Sequence, residues 1–322
     1  MEPASELTPE LRAFVEFVAK KGRELYRDLP WRRTYDPYAI WISEVMLQQT
    51  QVSRVDGRWQ RWLERFPTVD ALAAAAPSDV LEEWQGLGYN RRALSVHRAA
   101  QAISEAGGVF PQDPKELVKL PGIGPATAAG ICAFAFNLHG VYLETNVRTV
   151  FLHELYPQAE GVPDSELVPL VELTCPASVA DAVNADSAAN VVSADGTANA
   201  ADADSTENDA TAELTPRSWY YALLDYGAYL KKTIPNPSRR SKSHVKQSRF
   251  EGSHRQKRAE LLRVLLAHKD EGGAVFETLH QELCQIEVNA GRETLDEQVT
   301  LGLLEELAKE GFCQKNDEYW LP

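Results

Sequence analysis

The stretch "LPGIGPATAAGI", residues 120–131, follows "DPKELVKL", a predicted helix opened by Asp113 and Pro114. That helix stops at Pro121, two glycines make a tight turn, and Pro125 opens a second helix rich in small residues. Gly122 and Gly124 carry no side chains, so their N–H groups and the new helix N-terminus can approach an anion closely. A Gly-Pro turn alone is common. The complete Leu-Pro-Gly-Ile-Gly between two helices is the form of a helix-hairpin-helix that grips one DNA phosphate.

Toward the N-terminus, "TYDPYAIWISEVMLQQTQV" (34–52) starts another helix, with Asp36 as N-cap and Pro37 at the first helical position. Ile40, Trp41, Glu44 and Leu47 recur at three- to four-residue spacing and share a face. Glu44 then reads in two ways. Either it sits at the rim of that face with its head in water, or apolar surroundings raise its pKa until it donates a proton near neutral pH. The helix alone does not decide. Toward the C-terminus, "GVYLETNVRTV" (140–150) places Glu144 just before a helix beginning near Asn146. A carboxylate there is commonly a cap. Two carboxylates from distant segments, one beside a DNA-gripping hairpin, also suit N-glycosidic bond cleavage. That chemistry needs an acid for the leaving base and an anion for the sugar oxocarbenium.

The formal charge of -14 ordinarily counts against a nucleic-acid partner, but its distribution reverses that inference. Residues 176–214 hold eight acids, no Lys or Arg and no aromatic residue, so they predict a disordered insertion. Without those eight acids the charge is -6. Residues 231–258 hold ten Lys or Arg against Glu251 alone, which reads as a phosphate-contacting loop or as a solvated linker. The four cysteines, at 132, 175, 284 and 313, have no short pairing. That argues against a metal or disulfide framework and suits a reducing cytosol. The N-terminal 25 residues predict an amphipathic helix rather than a signal peptide, and no apolar run is long enough to span a membrane. Past the basic run, three predicted helices and a hairpin around Asn316-Asp317 suggest a winged-helix domain. Its third helix carries Asp296, Glu297, Glu305, Glu306 and Glu310 against Lys309. Phosphates would repel it, so packing or a protein partner is expected there rather than groove reading.

Taken together, "LPW", "DPY", "SEVMLQQTQV", "GLGYNRRALSVHRAA", "LPGIGPATA" and "ETNVRTV" resemble the MutY-type adenine DNA glycosylases of the helix-hairpin-helix superfamily. The likeness covers about residues 8–155 and returns in 216–232. It implies an all-α, two-lobed fold clasping kinked DNA, with the target adenine flipped out of the stack. By the same match, Glu44 would protonate adenine N7, and Arg27, Trp31 and Arg32 would line its pocket. Leu47 and Gln49 would touch or wedge the strand, Gln48 would face DNA, and Tyr89 would insert by the opposite base. Asp225 falls on an acid that reads the adenine edge.

Four features depart from that pattern. Glu144 stands where the family has Asp, and Ala126 stands where it often has Tyr or Ser. Nor is Ala126 the Lys of bifunctional relatives, so no Schiff-base amine is expected there. The stretch after "DYGAYLKK" has no Cys, which excludes an iron–sulfur cluster at that place and suggests that the basic run replaces it as a phosphate clamp. Finally, the family's domain for 8-oxoguanine is missing, with the winged-helix-like segment in its place. The expectation is therefore a cofactor-free, metal-free, cytoplasmic, monofunctional glycosylase acting on duplex DNA. Adenine opposite guanine or 8-oxoguanine is the expected substrate. The alternatives are another mispaired or damaged base, or an idle DNA-binding protein. Residues 1–232 would form the glycosylase domain, with the insertion over 175–214. Residues 233–254 would form a basic linker and 255–322 the winged-helix-like domain, a candidate for a protein partner. Catalysis falls to Glu44 and Glu144, and DNA contact to Gln48, Gln49, Tyr89, Gly122, Gly124, Asn146, Arg239, Arg240 and Lys242.

Overall fold

The computed structural model describes residues 7–177, 214–244 and 249–322. The expected acidic insertion therefore lies, but for its edges, outside the described residues. Two compact units form: one from 1–40, 112–117 and 124–245, the other from 41–111, 118–123 and 246–322.

In the first unit, α1 (Pro9–Glu24) starts at Thr8, whose hydroxyl accepts from the Leu11 N–H. A short 3-10 turn, Pro30–Arg32, precedes the start of α2 (Pro37–Leu47), whose first turn is capped by the Asp36 carboxylate. Then come α8 (Pro114–Leu117), α9 (Pro125–Phe136), α10 (Thr145–Glu154), α11 (Asp164–Thr174) and α12 (Pro216–Thr233). The long α12 opens with a reciprocal cap between Thr215 and Ser218. It is the central element: α1, α9 and α10 all pack on it. Phe14, Phe134, Phe151, Trp219, Tyr220 and Leu223 fill the space between them, with Phe134 stacked on Tyr221 at 4.6 Å. Gly227 lets the α10 N-terminus press onto α12, because a Cβ there would lie 2.3 Å from the Asn146 carbonyl oxygen.

In the second unit, the remainder of α2 leads into α3 (Val52–Val55), α4 (Arg58–Arg65), α5 (Val69–Ala74), α6 (Pro77–Glu83) and α7 (Arg91–Glu105). Trp41, Trp62, Trp84, Leu72 and Leu81 are almost fully buried and form its core. Residues 246–322 fall in this same unit. They comprise α13 (His254–Ala267), β1 (Ala274–Val275), α14 (Phe276–Asn289), α15 (Glu297–Glu310), β2 (Gln314–Asn316) and β3 (Tyr319–Leu321). The three strands are antiparallel in the order β1-β3-β2, and the hairpin turns at Asp317-Glu318.

Ion pairs explain the attachment. Lys269 donates to Asp79 and Glu82 of the α6 segment, both at 2.8 Å. Arg91 grips Glu310 with two 2.7 Å bonds, and Arg258 reaches the same glutamate at 2.7 Å. Glu306 also takes Arg258. Part of the acidic face of α15 is therefore a packing face.

Candidate active site

Among the first unit's predicted residues, Arg27, Arg32 and Asp225 come together. Asp225 lies on α12 with its side chain fully buried, and Arg32 is almost as buried. Arg32 donates to both carboxylate oxygens, at 2.7 and 2.8 Å. Arg27 adds its backbone N–H at 3.1 Å and its Nε at 2.5 Å. Four donors thus occupy the carboxylate, and the pair holds the 3-10 turn that carries the buried Trp31. The Arg32 guanidinium also lies 4.3 Å from the Tyr221 ring centre and 5.4 Å from that of Tyr26.

A buried arginine that sequence reasoning passed over supports this turn from behind. Arg217 donates to the carbonyls of Arg32 at 2.7 Å, of Thr34 at 2.9 Å and of Phe134. Its guanidinium stacks on Tyr35 at 3.9 Å.

Glu144 is the N-cap of α10. Its Oε1 accepts from the backbone N–H of Asn146 at 2.5 Å and of Val147 at 3.0 Å. Lys231 of α12 donates to the Asn146 side chain at 3.0 Å. Loss of water around the Glu144 carboxyl pushes its pKa up, and this outweighs the opposing N–H groups, Lys231 and Arg148. Its anion is under-solvated, so a cation forming beside it would gain more than it would beside a hydrated carboxylate.

The basic run divides by orientation. Arg239 and Lys242 are exposed, whereas Arg240 turns inward. Its guanidinium donates to the carbonyls of Leu152 at 2.7 Å, Ala159 at 3.4 Å and Tyr156, closing the C-terminal end of α10. Val162 and Ser241 form a parallel bridge beside it. Cys132, Cys175 and Cys313 are buried separately and Cys284 is half-buried. No group of three or more His, Cys, Asp or Glu suited to a metal ion occurs among the described residues. A cluster in the place of the basic run does not fit this chain, which has no thiol between 233 and 253.

In the second unit, Glu44 is half-buried on α2 between the buried Ser43 and Val45. Leu47 and Gln48 are half-buried at the helix end, and Gln49 is exposed. Gln49 has φ 53° and Tyr89 φ 51°, both left-handed, and the Tyr89 side chain is exposed. Arg255 of α13 brings its guanidinium 6.0 Å from the Tyr89 ring centre. The hairpin turn lies on α7: Gly122 has φ 76°, and a Cβ there would meet Ser95 Cβ at 2.5 Å. A cavity of about 120 Å³ is lined by Pro121 and Gly122 together with Trp41, Val45, Arg92 and Ser95. Gly124 caps α9 in extended backbone.

The described residues are mostly helical, with a glycine hairpin between α8 and α9. Residues 42–204 match the HhH-GPD superfamily base excision DNA repair proteins, and the chain belongs to that family. Within it, the chain resembles adenine DNA glycosylases. It is 43% identical to that of Mycolicibacterium smegmatis over 152 residues, 47% of this chain and 52% of the relative. It is 39% identical to that of Homo sapiens over 134 residues, 38% of this chain and 24% of the relative. The chain thus spans about half the length, or less, of these curated relatives. A thermostable thymine-DNA glycosylase of solved structure shares the fold. Its TM-score is 0.53 at 19% identity, covering 71% of this chain and 90% of that one.

Proposed function

We propose that this chain is a monofunctional DNA glycosylase that releases adenine mispaired with guanine or 8-oxoguanine. The observation that carries the reading is Glu144, an under-solvated carboxylate fixed by two backbone N–H groups at the start of α10. In this mechanism Glu44 gives its proton to adenine N7. The C1′–N9 bond then breaks with its electron pair going to the base, and Glu144 stabilises the sugar cation until water adds at C1′ and releases a proton. Arg27, Trp31 and Arg32 line the base pocket. Asp225 acts there by fixing the two arginines, since its oxygens are already occupied by them.

Gln48, Gln49, Tyr89, Asn146 and the hairpin N–H groups of Gly122 and Gly124 contact the DNA, with Arg239 and Lys242 on phosphates. Ala126 offers no amine, which supports hydrolysis without strand cleavage. The order helix–strand–helix–helix–strand–strand supports a winged-helix reading of 255–322. The cysteine pattern supports a cytoplasmic setting.

Single-turnover base release from a panel of mispaired duplexes tests the proposal, with Glu44→Gln as control. The expected result is adenine release that falls at least about a hundredfold in the variant while binding persists. Release of thymine or uracil but not adenine would reassign the base. Tight binding without release of any base would make the chain an idle DNA-binding protein.

A further inference from the structure

Arg92 is half-buried in the second unit, and its donors go to backbone carbonyls and one hydroxyl rather than to carboxylates. Nη1 donates to the carbonyls of Val45 at 2.6 Å, Met46 at 3.3 Å and Gln48 at 2.6 Å. Nη2 donates to Thr50 Oγ1 at 3.3 Å and to the carbonyls of Leu87 at 3.2 Å and Gly88 at 2.9 Å. One guanidinium therefore joins the end of α2 and the loop after it to the loop before α7. Thr50 closes the same ring through Gln48 and Leu87, and the Trp84 indole donates to Gly88 at 3.1 Å.

Each of these two loops carries a residue in left-handed backbone, Gln49 and Tyr89. Left-handed backbone costs a non-glycine residue about 1 kcal/mol or more, and it persists only where the surroundings over-determine it. Arg92 supplies that constraint to both loops at once. Partial burial among carbonyls disfavours the cation, and this loss of water lowers the arginine pKa to about 10. No neutral side chain carries enough donors to reach both loops at once.

We propose that Arg92 is a positioning residue that locks Gln49 and Tyr89 into one rigid pair, so that both engage the DNA strand together when the base leaves the stack. This rests on the glycosylase reading above and extends it to a residue that touches neither base nor sugar. A lysine offers a point charge rather than a planar fork, so it can serve one loop but not both.

The test uses the full chain and the variants Arg92→Met and Arg92→Lys, at a temperature where circular dichroism shows each folded. Three quantities are read: adenine release in a single turnover, affinity for the same duplex, and fluorescence of a 2-aminopurine placed beside the target adenine. Arg92→Met is expected to slow release and unstacking by roughly a hundredfold, the scale of a misplacement near 1 Å. Affinity should change less than threefold, and Arg92→Lys should recover part of the rate. In a Gln49→Ala/Tyr89→Ala background, Arg92→Met should cost little more, because the side chains it positions are gone. A merely structural arginine would impose the same loss in either background, and that result would overturn the proposal. Wild-type unstacking in Arg92→Met, or a loss of rate matched by a loss of affinity, would overturn it too. Base release by the wild-type chain judges the glycosylase reading separately, whereas the 2-aminopurine signal needs no cleavage and judges Arg92 directly.

Discussion

Substituting Asp225 by Asn keeps the side chain's shape but removes its charge and turns an NH₂ toward donors. In the native arrangement Arg32 is buried against this carboxylate by 2.7 and 2.8 Å bonds, with Arg27 contributing its backbone N–H and Nε. The variant leaves the Arg32 cation buried without a counter-charge. Breaking a buried pair from one side costs about 3–5 kcal/mol, much of it the orphaned charge rather than the lost attraction. At about 2–4 °C per kcal/mol for a domain of this size, the melting midpoint should fall by roughly 6–20 °C. The companion Asp225→Asn/Arg32→Met removes the orphaned charge. It should therefore melt higher than the sum of its two single variants implies. Differential scanning calorimetry at pH 7 reads all four proteins. A midpoint for Asp225→Asn within about 2 °C of wild type, or strict additivity in the double variant, would refute the reasoning.

Arg240→Ala should destabilise the chain by about 2 kcal/mol, since it uncovers carbonyls at the end of α10, yet leave the salt dependence of DNA binding unchanged. Neutralising Arg239 and Lys242 should do the reverse, flattening the slope by about 0.9 for each phosphate that then goes unneutralised. Arg91 and Arg258 hold the Glu310 carboxyl down, at a pKa of about 2, so its stabilising contribution is present above the ordinary value of 4.5 and is lost as pH falls through about 2. Glu310→Gln should therefore melt with a shallower acid dependence across that window, by a modest amount because Arg91 is exposed. Burial raises the Glu144 carboxyl, so its contribution is full below the ordinary carboxylate value and is lost as pH rises through the shifted one. Glu144→Gln should then gain melting temperature over wild type as pH rises, while its base release is abolished. A gain that grows toward acid pH would contradict this sign.

Much of the local structure around the candidate site is legible in the sequence because its signals are local. Asp36 and Pro37 announce α2, Gly122 and Gly124 announce the hairpin, and Glu144 sits one residue before the helix it caps. The acids of the third C-terminal helix make it unsuited to phosphates, and Glu306 and Glu310 are paired with Arg258 and Arg91. The segment's membership of the second unit is not legible. It depends on Lys269 finding Asp79 and Glu82 nearly two hundred residues away, and no local pattern encodes such a pairing. Arg92 does leave a signal. It lies four residues before the buried Val96 and seven before the buried Ala99 of α7. An arginine at that spacing in an apolar stripe faces inward.

The same residue type explains why charge counting misleads here. Arg92, Arg217 and Arg240 each turn a guanidinium onto three or more backbone carbonyls, and Arg32 adds one to its ion pair. A planar fork with five donors suits a loop's carbonyls as well as it suits a phosphate, so sequence alone cannot separate the two uses. Orientation separates them, and it tracks position. The inward arginines sit where a helix end or a loop has carbonyls without partners, as at the ends of α2 and α10. Arg239 and Lys242 flank such a site without facing it. Guanidiniums turned inward in this way hold loop and helix-end backbone, so a count of Lys and Arg along a run overstates the positive charge that the run presents to a partner.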